Sequence, residues 1–260
     1  MGMFEGRIAL VTGGGRGIGQ GIALALAREG AVVAVNYAKG SNAAKETVEM
    51  ITSAGGAARS YGADISDPDA DATMLAAIAD DLGPVDLLVN NAGVASRGRS
   101  VADTADDEVA RLLATHAVGP HHLCRLALPA MRERAKTIGR GDIVFISSVA
   151  TDGNTANGAP YNMGKAAMES LAFTLAKEEV GNGIHVNVVA PGLVVSDMGR
   201  RLAKAVAGVN DIHELDAKFP FGRVCEPEDV ARVVMYFCSD AAGYVTGERI
   251  RVHGGGQALR

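Results

Sequence analysis

Three polar residues in the middle of the chain could do chemistry together. Tyr161 and Lys165 stand four positions apart, and Ser148 lies thirteen residues before the tyrosine, in "SSVATDGNTANGAPYNMGK". At helical spacing i and i+4 the phenol and the ammonium share one face and can act on one point in space. Pro160 suits a first helical turn, which puts Tyr161 near the start of that helix. A free phenol has a pKa of about 10 and is a poor proton donor near neutrality. A nearby cation stabilises the phenolate and lowers that value. Ser148 closes an apolar run. At the end of a parallel strand its hydroxyl would face the ligand crevice and could hold a substrate oxygen beside the tyrosine. Ser147 would point to the other side and serve the structure. Taken alone, Tyr-x-x-x-Lys is frequent in amphipathic helices, so its meaning depends on what else the chain supplies.

The second cluster is "VTGGGRGIGQGIALALA", in which Gly13, Gly17 and Gly19 separate an apolar run from a helical one. Such glycines allow a tight turn, close approach of backbone to a diphosphate, and close packing of helix on sheet. The helix N-terminus offers unpaired N–H groups and a positive dipole end to the phosphates. The next apolar run ends in "VNYAKGS", with Asn36 and Tyr37 where an NAD site usually has a carboxylate for the ribose hydroxyls. Without that negative charge a 2′-phosphate is tolerated, and Arg16, with Lys39 and Ser41, could bind it. The bland alternative for Arg16 is a surface charge. NADP(H) is favoured over NAD(H), and the positive ring of an oxidised nicotinamide would help Lys165 stabilise the phenolate.

The elements that must position these residues can be read from periodicity. Apolar, β-branched runs occur at 7–12, 31–37, 85–93, 142–148, 184–192 and 249–255, with a weaker one at 58–64. Most are apolar on successive residues, as expected of parallel strands covered on both faces. Helical patterns fill the gaps at 17–29, 41–54, 69–82, 105–134, 160–180 and 227–239. Strict alternation with right-handed crossovers predicts an α/β fold: one Rossmann-type, doubly wound parallel sheet of about seven strands, helices on both faces, a single domain over 1–260. The segment 193–220 is too long for a simple loop and has helical apolar spacing at Leu202, Val206, Val209, Ile212 and Leu215. It reads as an insertion that covers the substrate, against the plainer alternative of a surface hairpin.

Bulk properties exclude other classes. With 48% hydrophobic and 21% charged residues the chain is globular, and a net charge of −5 argues against nucleic acid or an anionic membrane as partner. The basic runs "RERAK" and "GRR" are short enough to be solvated helix faces. Cys124, Cys225 and Cys238 lack CxxC spacing and read as small buried hydrophobes in a reducing cytoplasm. The six histidines have no metal-ligand spacing, so no metal is expected. No signal peptide, myristoylation pattern or membrane-length apolar run is visible. The expected location is the cytoplasm.

With both clusters on one chain in this order, the sequence resembles the short-chain dehydrogenase/reductase superfamily, single-domain type, and is similar to its 3-oxoacyl-acyl-carrier-protein reductases. The motifs run almost end to end: "TGGGRGIG" (12–19), "AD" (63–64), "NNAG" (90–93), "ISS" (146–148), "YNMGK" (161–165), "NVVAPG" (187–192) and the tail 222–256. The resemblance implies that Tyr161 protonates a substrate carbonyl, that Lys165 binds the nicotinamide ribose and tunes the tyrosine, and that Ser148 orients the carbonyl oxygen. It implies cofactor contacts at Gly13, Gly15, Arg16, Gly17, Ile18 and Gly19 in the first turn, and at Asn36 and Tyr37 after the second strand. Asp64 with Ile65 would meet the adenine. Asn90, Ala92 and Gly93 would line the cofactor channel. Pro191, Gly192 and Val194 would pass near the nicotinamide, and Ser196 stands where relatives often have a threonine that bonds the carboxamide.

Departures matter as much. Relatives carry an asparagine in the long helix before the fifth strand, and this chain has His116 in "THAVG". The asparagine helps hold a water that links the lysine to solvent. A histidine could hold that water, but it is larger and ordinarily titrates near neutrality. His185 and His253 replace an arginine and an aspartate, with small structural consequences expected.

The expected function is an NADP(H)-dependent oxidoreductase interconverting a ketone and a secondary alcohol, with Tyr161 as general acid/base. The competing reading is a catalytically weak nucleotide-binding or regulatory protein. Epimerases need an added domain, and the superfamily's enoyl reductases space tyrosine and lysine more widely than four. Apolar Leu193, Leu202, Val206 and Phe219 suit an aliphatic or ring ketone. Arg200, Arg201 and Lys204 suit the phosphate of a thioester carrier, so a 3-oxoacyl thioester is the leading substrate. The faces of helices 105–134 and 160–180 and the last strand resemble the contacts of family homotetramers, or of a dimer within them.

Overall fold

The computed structural model of the chain describes residues 2–255. Gly256, the last residue of the tail motif, and the outermost ends of the 1–260 domain lie outside the described residues. The apolar runs form β1 (Ile8–Val11), β2 (Val32–Tyr37), β3 (Ala57–Gly62), β4 (Leu87–Asn90), β5 (Gly141–Ile146), β6 (Ile184–Pro191) and β7 (Arg249–Val252). They pair in parallel in the order β3-β2-β1-β4-β5-β6-β7. Residues of β1, β4 and β5 are buried on both faces, which is why these strands do not alternate with polar residues. The order reverses between β1 and β4, so a crevice for ligand opens beyond their C-terminal ends.

The connecting helices are α1 (Gly17–Arg28), α2 (Ser41–Ser53), α3 (Pro68–Asp81), α4 (Asp106–Leu113), α5 (Gly119–Ile138), α6 (Ala150–Gly153), α7 (Ala159–Glu179), α8 (Asp197–Ala207) and α9 (Pro227–Cys238). Alternate strand residues feed two cores. Val11, Val35 and Val144 pack with Ile22 and Leu26 of α1 and Phe237 of α9. Leu10, Leu88 and Phe145 pack with Ile78 of α3, Leu123 and Met131 of α5 and Met168 of α7. At the opposite end from the crevice, Arg7 bridges Asp86 and Asp142, and Arg140 pairs with Asp142 at 2.8 Å, tying the strand starts together. Among the described residues no helix is long and apolar enough to cross a membrane.

Three expectations need correction. The pattern at 105–134 is not one helix: a π segment, Ala114–Val118, separates α4 from α5 and contains His116. The wider turn accommodates that ring, as π bulges often do at functional sites. Gly119 then lies so near the loop after β3 that a Cβ would come 2.2 Å from the Ile65 carbonyl oxygen. Nor does the helical pattern stop at 134: α5 runs on to Ile138, where Gly139 at φ +82° ends it.

Within 193–220, α8 is followed by a 3₁₀ helix, Ile212–Lys218, started by a capping box of Asp211 and Glu214. Leu193, Ala203, Ile212, Leu215 and Val224 form a small core of their own. Leu202 and Val206 point outward instead of into it. The buried edge of α8 is Gly199 and Ala203, and at Gly199 a Cβ would come 2.0 Å from the Val194 carbonyl oxygen.

On α3, Asp71 occupies the inward stripe with Met74 and Ile78. It is fully buried, and neither carboxyl oxygen has a hydrogen-bond partner among the described residues. Burial first, and the neighbouring Asp67 and Asp64 second, push this carboxyl up to about 7.

Candidate active site

The turn between β1 and α1 is held by buried polar groups. Gly13 (φ +62°) and Gly17 (φ +53°) adopt the left-handed conformation that only glycine enters freely. At Gly19 a Cβ would come 2.3 Å from the Gly13 carbonyl oxygen, so the helix seats directly on the turn. No side chain caps the start of α1, which leaves its first N–H groups directed at the crevice. That shape and donor set fit a diphosphate.

Residues not assigned from the sequence build this turn. The Thr12 hydroxyl donates to the Val89 carbonyl and accepts from Asn91 N and Ala92 N at 2.9 and 3.0 Å. The Asn91 amide donates to the Thr12 carbonyl at 2.8 Å. Both sit inside motifs, and their pattern signal is only that of a motif letter.

The structure shows which cofactor-binding candidates face the crevice with their side chains. Asn36 does not: it is buried, its Oδ1 accepts from Gly13 N at 3.2 Å, and its amide donates to the Ala63 carbonyl at 3.0 Å. It shapes the turn. Tyr37 lies over Gly62, where a Cβ would sit 3.2 Å from its phenol. Ile65 and Val194 turn into the core, so only their backbones are available. The Asn90 amide turns toward Cys124 at 3.6 Å, leaving its buried Oδ1 without a partner among the described residues. Asp64 is exposed and accepts from the Ser66 hydroxyl at 2.7 Å, which with a backbone bond to Ser66 holds its carboxyl below the ordinary range. Ser196 caps α8, accepting from Gly199 N at 3.1 Å, and its Cβ would be 3.1 Å from a Cβ at Gly17. Arg16 is exposed and stands 3.6 Å from Asp197. His253 packs against Gly192, where a Cβ would come 2.9 Å from its own Cβ.

At the C-terminal end of β5 the three polar residues converge. Ser148 leaves the strand and its Oγ accepts from Ala150 N at 3.1 Å. Tyr161, in the first turn of α7, is half-buried. Burial raises its pKa, while the nearby Ser148 side chain opposes the rise. Lys165 is buried, its Nζ 5.9 Å from the centre of the Tyr161 ring and 2.7 Å from the Ile146 carbonyl, to which it donates. Burial lowers its pKa to about 7, against the favourable pull of Glu169. Burial therefore outweighs the opposing influences on the tyrosine, contrary to the simple expectation of a lowered phenol.

His116 joins this group from the π segment, its ring edge-on to Tyr161 at 5.3 Å. It is packed between two glycines: a Cβ at Gly93 would come 2.8 Å from its Cε1, and one at Gly164 would come 3.3 Å from its Cδ2. Burial, reinforced by Lys165, drops its pKa to about 3, so it does not titrate near neutrality. Nε2 lies 2.9 Å from the Val94 carbonyl and 3.4 Å from Val94 N; the shorter contact assigns the proton to Nε2 and leaves Nδ1 as a buried acceptor without a partner among the described residues.

A family model described as enoyl-(acyl carrier protein) reductase matches residues 13–257. The 3-oxoacyl-acyl-carrier-protein reductase of Staphylococcus aureus is 36% identical over 248 residues, 95% of this chain and 96% of that protein. A short-chain type dehydrogenase/reductase from Mycobacterium marinum shares the fold with a TM-score of 0.87 and 31% identity, over 97% of this chain and 96% of that one. A 7α-hydroxysteroid dehydrogenase, solved with NADH and 7-oxo glycochenodeoxycholic acid, gives a TM-score of 0.88 at 32% identity, over 99% and 97% of the two chains.

Proposed function

We propose, from the premise that this chain belongs to the short-chain dehydrogenase/reductase family, that it is an NADP(H)-dependent reductase of ketones, working in the cytoplasm, with 3-oxoacyl thioesters as the leading substrates. The observation behind the reading is the convergence of Ser148, Tyr161 and Lys165 at the end of β5, beside the turn that fits a diphosphate. A nicotinamide cofactor, when bound, supplies or takes up the hydride. Tyr161 gives its phenolic proton to the carbonyl oxygen, and the Ser148 hydroxyl donates to the same oxygen and holds it in place. Lys165 binds the nicotinamide ribose, and its ammonium stabilises the phenolate that remains. His116 stays neutral, and Nδ1 holds the water through which the lysine reaches solvent. Residues 193–220 cover the substrate.

NADP(H) is supported by the lack of a carboxylate at the end of β2 and by the exposure of Arg16. The Arg16–Asp197 pair is itself exposed, so exchanging Asp197 for a 2′-phosphate costs little. Arg16→Ala is expected to raise the KM for NADPH about tenfold, with the KM for NADH unchanged. Equal losses for both cofactors in steady-state assays would remove Arg16 from cofactor choice. A homotetramer, or a dimer, built on α4, α5, α7 and β7 is supported by the exposure of Val118, just before α5, and of Val180, just after α7.

The deciding assay follows NADPH oxidation with 3-oxoacyl thioesters, simple and ring ketones, and 2-enoyl thioesters. Turnover of a ketone supports the proposal. The enoyl reading has the family model's description in its favour, and turnover of the 2-enoyl substrates alone would install it. Tight NADPH binding with no turnover would favour a regulatory protein.

A further inference from the structure

We infer that the Glu169–Arg249 ion pair is a positioning device for the reaction: it fixes the segment that carries Ser148 and balances the charge beside Lys165. The inference rests on the roles proposed above for Ser148, Tyr161 and Lys165.

Glu169 follows Lys165 by four residues and Tyr161 by eight, so all three lie along one stripe of α7. Its Oε1 accepts from the Ser147 hydroxyl at 2.5 Å, the Thr151 hydroxyl at 3.1 Å and Arg249 Nε at 2.9 Å. Arg249 comes from β7, 101 residues downstream of Ser148. Its Nη2 donates to the Ser148 carbonyl at 3.1 Å and to the Thr151 hydroxyl at 2.9 Å, and its Nη1 stands 3.0 Å from Asp152. The residue after β5 on which substrate orientation depends is thus held by its own carbonyl and by both neighbouring hydroxyls. A planar fork with several donors can make all these contacts at once, which a lysine cannot. The Glu169 and Arg249 side chains are each only 14% exposed, so their charges are weakly screened.

The pair also acts on Lys165. Burial favours its neutral amine, and Glu169 is the carboxylate that favours the ammonium. Arg249 neutralises part of that carboxylate. The two members therefore bias Lys165 in opposite senses. The other titratable or charged groups on elements packed around α7 include His116 on the π segment, Asp106, Asp107, Arg111 and Glu108 (paired with Arg97) on α4, Asp152 on α6 and Arg251 on β7. Asp142 and His185 stand at the far ends of β5 and β6.

The test is the pH profile of kcat/KM for the best carbonyl substrate, in the full chain, for Glu169→Gln, Arg249→Met, Arg249→Lys and Thr151→Val. Thermal melts and NADPH titrations accompany each variant. Glu169→Gln is expected to move the alkaline limb to lower pH by at least about half a unit, and Arg249→Met to move it upward. Arg249→Met also lowers the optimum rate about tenfold, because Ser148 loses its anchor. Arg249→Lys returns the limb to its wild-type position without restoring the full rate. Thr151→Val, which changes no charge, lowers the rate with the limb in place and keeps the test open if a charge variant does not fold. Limbs that stay put in both charge variants, or move the same way, would overturn the inference. Tyr161→Phe runs alongside: if it keeps its turnover, the failure lies in the proposed role of the tyrosine and not in the pair.

Discussion

Tyr161→Phe is expected to lower kcat for carbonyl reduction about 10³-fold, within the range that one positioned proton donor contributes. NADPH affinity should stay within about twofold of wild type. Only the phenolic oxygen is lost: the ring keeps its edge contact with His116 and its place in the first turn of α7. Ser148 remains as a hydrogen-bond donor to the carbonyl oxygen, but an alcohol is a much weaker acid than a phenol stabilised by a cation, so the residual rate should be small. The comparison is made by NADPH oxidation at saturating substrate, with binding followed separately by cofactor fluorescence. A variant that turns over within tenfold of wild type would exclude Tyr161 as the acid.

Asp71→Asn is expected to stabilise the fold at pH 8 by about 2 kcal/mol and to leave it unchanged at pH 4. The folded-state pKa, about 7, is above the value for an unfolded aspartate. Below pH 4 both states hold the proton, and the carboxyl costs nothing extra. As pH rises from 4 to 7 the unfolded chain releases its proton first. Stability then falls by up to about 4 kcal/mol, at 1.36 kcal/mol per unit, and levels off above 7. Asparagine removes this dependence but leaves an unpaired amide, so only part of the loss is recovered. For a domain of this size the gain corresponds to a rise in Tm of about 5 °C. Denaturant unfolding of both proteins at pH 4 and pH 8 checks the sign. Equal pH dependence in the two proteins would mean that Asp71 finds a partner or water that the burial does not suggest.

Much of the architecture was legible in the sequence because its causes are local. Two-sided burial makes a parallel strand apolar throughout, and the helices between carry a 3.6-residue stripe. Seven runs and six helical patterns therefore imply the sheet, with edges off by up to four residues and the pattern at 105–134 divided in two. Tyr161, Lys165 and the glycine turn were equally visible, because chemistry at i, i+4 spacing and positive φ leave marks in a single segment. The 193–220 segment was visible only in part. Leu202 and Val206 have the right spacing for a core, yet the small residues Gly199 and Ala203 are what let α8 approach its neighbours.

What composition and spacing settled was the class of fold and the order of its parts, while the motifs carried the resemblance to the family. What only the tertiary structure decided was the state of each polar group. His116 looks like a titrating histidine until two glycines and the Val94 carbonyl enclose it. Asn36 looks like a ribose ligand until its amide is found bonded under the first turn. Asp71 looks like a surface carboxylate on an acidic helix until α3 rotates it inward. Glu169 and Arg249, 80 residues apart, show nothing as letters. Protonation and hydrogen bonding depend on solvent access and on partners from distant segments, and those exist only once the chain has folded.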